Sequence, residues 1–128
     1  MSKSRHRRPK ERKDELILTT HGIRRARERL GIPKKAVQSN AEKALRYGVS
    51  REEATGQLRR YLQWIFDIYG TANNLRAYNQ HIYVFVETRL VTVLCIHNKY
   101  REAAEKQQKQ KKLRIDMEES NANRRRSK

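Results

Sequence analysis

With 128 residues and a formal net charge of +17, the chain has room for one domain and not for two, and it carries far more charge than solubility requires. A single cysteine, Cys95, excludes an intramolecular disulfide and a thiolate zinc cluster, and the four histidines at 6, 21, 81 and 97 lack metal-ligand spacing, so no metal and no cofactor is expected. The excess charge points to a polyanionic partner, nucleic acid ahead of an anionic membrane surface; without an apolar run near 20 residues or a secretory h-region, a cytoplasmic protein is expected.

Charge is concentrated at the ends. Residues 1–14 hold seven Lys/Arg against two acids, and residues 99–128 hold eleven against five. The first segment has no apolar periodicity and reads as a disordered basic arm able to track a phosphate backbone. Residues 15–98 read as the folded core.

Leu16-Ile17-Leu18 is a short apolar run suited to a first strand. Thr19 or Thr20 then offers an N-cap and Gly31 a C-terminal stop, which predicts about three turns of helix between them. At 100° per residue Ile23, Ala26 and Leu30 form its apolar stripe, and His21, Arg25 and Arg29 line up on nearly the opposite side. Like charges at i, i+4 repel by a few tenths of a kcal/mol, so this face calls for an anion: a carboxylate from elsewhere in the fold, or a phosphate.

A second helix is predicted from Pro33 to about Tyr47, with Ala36, Val37, Ala41, Ala44 and Leu45 as its stripe and Lys34 and Lys35 in its first turn as phosphate-contact candidates. Ser50 and Glu53 have capping-box spacing, so a third helix is predicted to follow to Tyr69, its start able to slip to about Gln57 because Gly56 weakens the first turn. Trp64, Phe66 and Tyr69 could form a base-stacking platform. Helical spacing in a chain with nine aromatics favours core packing instead, and leaves Arg59 and Arg60 as the phosphate-contact candidates.

From Asn73 the apolar period changes from 3.6 to 2. Leu75 to Tyr78, His81 to Val86 and Leu90 to Ile96 read as strands joined by tight turns at Asn79-Gln80 and Glu87-Thr88-Arg89, which forces an antiparallel meander. The third strand is the candidate for a doubly covered position, Cys95 is expected to be buried and inert, and helices one to three are expected to cover one face. Beyond His97 the chain turns polar and helix-prone, predicting an exposed basic helix that fades into a disordered tail, with Lys99 and Arg101 as further cationic contacts. The fold class that results is α+β: two or three N-terminal helices packed on a small antiparallel β-meander, followed by a basic C-terminal helix.

Metal-independent RNA cleavage needs a base, an acid and cations at the phosphorane. His21 and His97 have the right intrinsic pKa range, and Arg25, Arg29 and Arg76 could supply charge, with alternation in its strand pointing Arg76 away from the core side. Tyr78 and Tyr100 could donate protons or stack. The order Thr19, His21, Gly22, Arg25, Arg29 and Gly31-Ile32 resembles the N-terminal motif of small domains from phages and mobile elements grouped with the barnase, EndoU, colicin and RelE-type ribonucleases. Leu90-Val91-Thr92-Val93-Leu94 is similar to that group's closing strand. The resemblance spans Leu16 to Ile96 and implies an α+β domain acting on RNA, as a toxin-like nuclease or as a binding protein. In this group the small residue after the histidine is usually alanine, whereas here it is Gly22.

Three functions compete: nucleic-acid binding, RNA first, without catalysis; a RelE-like endoribonuclease using His21, Arg76 and His97; and a structural ribonucleoprotein component threading basic extensions through RNA, as on a ribosome. Dispersal of the candidate catalytic groups along the chain favours the first.

Overall fold

The computed structural model of the protein describes residues 15–70 and 72–126; the predicted basic arm, residues 1–14, lies outside the described residues. In chain order the elements are β1 (Ile17–Leu18), α1 (Thr20–Leu30), α2 (Lys34–Tyr47), β2 (Val49–Ser50), α3 (Gly56–Tyr69), β3 (Asn74–Tyr78), β4 (His81–Val86), β5 (Arg89–Cys95), a 3-10 turn (Asn98–Tyr100) and α4 (Arg101–Arg126). The protein is therefore of mixed helix and strand, with three helices before the meander and one after it among the described residues.

The expected three-stranded meander is the centre of a five-stranded sheet in the order β1-β5-β4-β3-β2. β3, β4 and β5 are antiparallel neighbours, whereas β1 runs parallel to β5, with Leu18 opposite Leu90. Asn79 and Gln80 both adopt positive φ (52° and 71°), the primed-turn geometry that lets two residues join β3 to β4.

Side-chain alternation splits the core in two. Leu75, Ala77, Ile82 and Val84 pack with Leu58, Leu62 and Ile65 of α3 and Ala104 of α4. Tyr83, Phe85, Leu90 and Val93 pack with Ala26 of α1 and Val37, Ala41 and Ala44 of α2. Helices one to three thus do not share a face, contrary to expectation: α1 and α2 cover one side, α3 and α4 the other. The reason is readable in β4, where four consecutive residues, Ile82 to Phe85, are apolar and buried, so both faces need a cover. A register shift at Val84/Phe85 lets Leu90 and Val93, three apart on β5, face the same layer.

The third helix takes the later of its two expected starts, within a residue of Gln57. Ser50 and Glu53 do form the reciprocal capping bonds, Ser50 N to Glu53 Oε1 at 3.0 Å and Glu53 N to Ser50 Oγ at 3.3 Å, but they close a turn after β2, and α3 begins only at Gly56, which takes φ 60°. Glu53 is used elsewhere, as a partner of Lys111.

Instead of fading into a tail, α4 is one continuous 26-residue helix. It is held by polar side chains. Gln107 bonds both the N–H and the carbonyl of Thr55 (3.0 and 3.3 Å), Gln108 accepts from Asn79 N (2.7 Å), and Lys111 Nζ donates to Gly48 O (2.7 Å) and Glu53 (2.8 Å). Arg46 at the end of α2 forms an ion pair with Glu119. Passing beside β2, the helix shields an edge strand that would otherwise expose unpaired backbone groups.

α1 is held closer to the sheet than an ordinary residue would allow. Thr19 caps it, accepting from Gly22 N at 2.9 Å while donating its hydroxyl proton to Leu90 O at 3.2 Å. A Cβ on Gly22 would lie 2.2 Å from that same Leu90 carbonyl oxygen. The buried stripe is accordingly Gly22 and Ala26, with Ile23 and Leu30 only half buried, a rotation of the helix by roughly 50° from the expected stripe.

Gly22→Ala should therefore push α1 off β5 and lower unfolding free energy by about 1–3 kcal/mol or more, read as a lower urea midpoint. A second outcome concerns Glu53. Burial pushes its carboxyl up, but the bonds from Lys111 and from the Ser50 N–H and hydroxyl outweigh this and hold it below its ordinary 4.5. Lys111, enclosed beside Gly48, is driven down by burial, and Glu53 opposes this only in part. The 2.8 Å bond between them favours the charged form of both, and the 2.7 Å bond to Gly48 O adds to this for Lys111. A carboxyl lowered on folding stabilises above its unfolded value and ceases to as pH falls through its folded value. Glu53→Gln should thus be less stable than the parent at pH 7, with the difference closing as pH drops below 4.5 in acid-titrated urea unfolding.

Candidate nucleic-acid interface

Because Gly22 and Ala26 define the buried side of α1, Arg24 lies outermost, flanked by Arg27, Glu28, His21 and Arg25, all exposed. Arg29 is exposed near the rim. Arg25 Nε directs its N–H to His21 Nε2 at 3.5 Å, so that lone pair is already engaged by a guanidinium. Arg24, Arg27 and Glu28 line a hollow of about 850 Å³ with Ile23 and the Gly31-Ile32-Pro33 bend, and Lys34 and Lys35 follow directly as exposed residues of α2. Among the described residues, none of these six Arg and Lys side chains forms an ion pair. Carboxylates of the described residues do not provide the anion that the face calls for.

A second cluster lies on the other side of the sheet. Where α3 meets the 3-10 turn, Arg60, Tyr61, Trp64, His97, Lys99 and Tyr100 line a groove of about 500 Å³. Tyr61 stacks on Tyr100 with ring centroids 4.2 Å apart and planes 14° apart, and Trp64 lies nearly parallel to Tyr61 at 6.5 Å and 18°. His97 holds the wall in place: its N–H donates to the Tyr61 hydroxyl at 3.1 Å, and its Nδ1 accepts from Lys99 N at 3.1 Å. The Lys99 ammonium sits 5.7 Å from the centre of the Tyr100 ring. Arg59 and Arg60 border the adjoining hollow with Trp64.

Trp64 corrects the expectation that the α3 aromatics are spent on the core. It is 60% exposed, and Ile68 one turn on is similarly open. Of the other two, Phe66 is half buried beneath the Arg51 guanidinium, 4.1 Å from its ring centre. Exposure of Trp64 follows from the faces α3 already uses: Leu58, Leu62 and Ile65 face the sheet, which leaves the Tyr61-Trp64-Ile68 flank at the edge of the layer.

His21, Arg76 and His97 are not brought together. Leu90 touches Thr19 at the start of α1, and at about 3.4 Å per residue the strand carries the chain some 17 Å to Cys95 before His97 is reached. His21 also belongs to the layer opposite the His97 groove. Arg76 does not point into solvent: it lies under the end of α2, donating Nη1 to Leu45 O at 2.9 Å and Nε to Asn74 Oδ1 at 2.8 Å. It neutralises a helix C-terminus, whose last carbonyls lack partners. Arg101 is likewise engaged, its Nε donating to Ile96 O at 3.4 Å. Tyr78 packs edge-on against Tyr83, and burial raises both hydroxyls, that of Tyr83 to about 12.

Cys95 is exposed, against expectation, because α1 and α2 cover β5 over Leu90 to Val93 and leave its far end open. No helix among the described residues is long and apolar enough to cross a membrane. The chain matches no protein-family model, no curated protein and no solved structure.

If Arg76 is a structural clamp, Arg76→Ala should lower unfolding free energy by about 1.5–3 kcal/mol, the usual worth of a hydrogen bond from a charged group. Affinity for RNA, measured by anisotropy on the folded variant, should stay within about twofold of the parent.

Proposed function

We propose that the protein binds nucleic acid, RNA before DNA, by seating the phosphate backbone on the exposed α1 face and the first turn of α2, without cleaving it. The observation that supports this most directly is the run Arg24, Arg25, Arg27, Arg29, Lys34 and Lys35, exposed, interrupted by one acid, and without an ion pair among the described residues. Six cations left unpaired on one short stretch repel one another; a phosphate backbone relieves that and releases counterions as it binds. Residues 1–14 carry a further +5, which adds to the attraction. The resemblance to the ribonuclease group favours RNA. Separation of His21, Arg76 and His97 favours binding over cleavage, since general acid–base catalysis requires both groups within reach of one phosphodiester.

Binding to a labelled single-stranded RNA should weaken steeply with salt, with log K falling linearly in log salt. Arg25→Ala and Arg29→Ala should each reduce that slope by roughly one unit and weaken all sequences alike. Salt-independent binding, or none, would sink the reading.

A further inference from the structure

We propose that the groove between α3 and the 3-10 turn is a second subsite, which takes an unpaired nucleobase on the open face of Trp64 while Arg60 and Lys99 hold its flanking phosphates. It deepens the nucleic-acid reading and rests on it, since the polymer is the same and only the part of it recognised is new.

Four features carry the inference. Trp64, Tyr61 and Tyr100 form a row of nearly parallel rings, 18° and 14° apart in plane, with Trp64 at the open end and 60% exposed. A large aromatic surface is costly to leave in water, and a row closed on one side only offers its free end to another flat ring. Second, the row is rigid: Tyr61 is fixed by the His97 N–H and by Tyr100, so little ordering entropy is lost on stacking. Third, the margins are cationic. Arg59 and Arg60 make no ion pair among the described residues, and Lys99 lies over the Tyr100 ring. An apolar peptide would gain nothing from them, whereas a nucleotide carries both the flat base and the phosphate. Fourth, a base inside a duplex has its faces already stacked, so the groove selects single strands, loops or ends.

The protein's one tryptophan makes the test direct, because all indole emission comes from Trp64. Titration with an unstructured uridine 12-mer should quench that emission in step with binding followed by anisotropy of the labelled RNA. A blunt-ended RNA duplex should bind without comparable quenching. Trp64→Ala should weaken the single strand by roughly tenfold and Trp64→Phe by much less, with duplex affinity unchanged, in line with stacking on one aromatic ring. Arg60→Ala should weaken the single strand yet leave the quench at saturation intact. Since Trp64 is exposed, both of its variants should fold, which far-ultraviolet circular dichroism checks.

Single-strand binding without quenching, or equal affinity in Trp64→Ala, would overturn the subsite and leave the α1 reading standing. No binding to any nucleic acid would overturn both. Equal quenching by polyglutamate would mean that the groove takes an acidic peptide, and the proposal would fall.

Discussion

Most of the architecture hangs on one backbone approach, that of α1 to β5 at Gly22. β1 pairs in parallel with β5 at Ile17 and Leu18, and the next residue, Thr19, caps α1 while its hydroxyl bonds the Leu90 carbonyl. Strand, cap and helix thus form a hook on β5, closed by a contact that leaves no space for a methyl group. The cost is the entropy of a glycine in the first turn of a helix, about 1 kcal/mol relative to alanine. What it fixes is the rotation of α1, and with it which arginines face outward.

The second constraint is that a sheet with two apolar faces must be covered twice. That much was legible in β4, whose unbroken Ile82-Tyr83-Val84-Phe85 cannot have a wet side. The element completing the second cover was not. α4 shows almost no apolar periodicity, and a helix with none is read as solvated. It docks through Gln107, Gln108 and Lys111, which bond backbone groups of Thr55, Asn79 and Gly48, more than thirty residues away in most cases. Long-range polar complementarity of this kind leaves no mark in local sequence, because it depends on where three separate turns end up. The glutamine bonds are exposed and gain little over water, whereas the buried Lys111 donor left without Gly48 O would cost about 1–3 kcal/mol, so the match specifies the position of α4 more than it stabilises it.

The same distinction separates the two candidate surfaces. The cations of α1 were legible because helical spacing alone collects them, and only the phase of the wheel, set by the Gly22 contact, was missed. The aromatic groove was hidden because its members come from α3 and from the turn after β5, thirty-six residues apart at the Tyr61 to His97 bond. Trp64 at i+3 from Tyr61 has the spacing of a core residue; what exposes it is that Leu58, Leu62 and Ile65 already occupy the side facing the sheet. Arg76 was misread for a related reason. Alternation correctly put it on the face opposite Leu75 and Ala77, but that face is covered too, by the end of α2.

The two surfaces lie in opposite layers, so one short ligand cannot reach both. A domain of about a hundred residues has a radius of gyration near 13 Å, and a strand running from α1 to Trp64 must pass around the sheet and not across it. If both are occupied by one RNA, affinity grows with strand length only once the polymer can span that path, as for any two linked sites, and short oligomers reveal each surface separately. The chemistry divides in the same way: cations on a helix track any phosphate backbone, whereas an exposed indole set beside two cations distinguishes an unpaired base from a paired one. On the proposed reading, their placement on opposite faces of the sheet would give the domain a strand-neutral grip and a strand-selective one that can be removed independently.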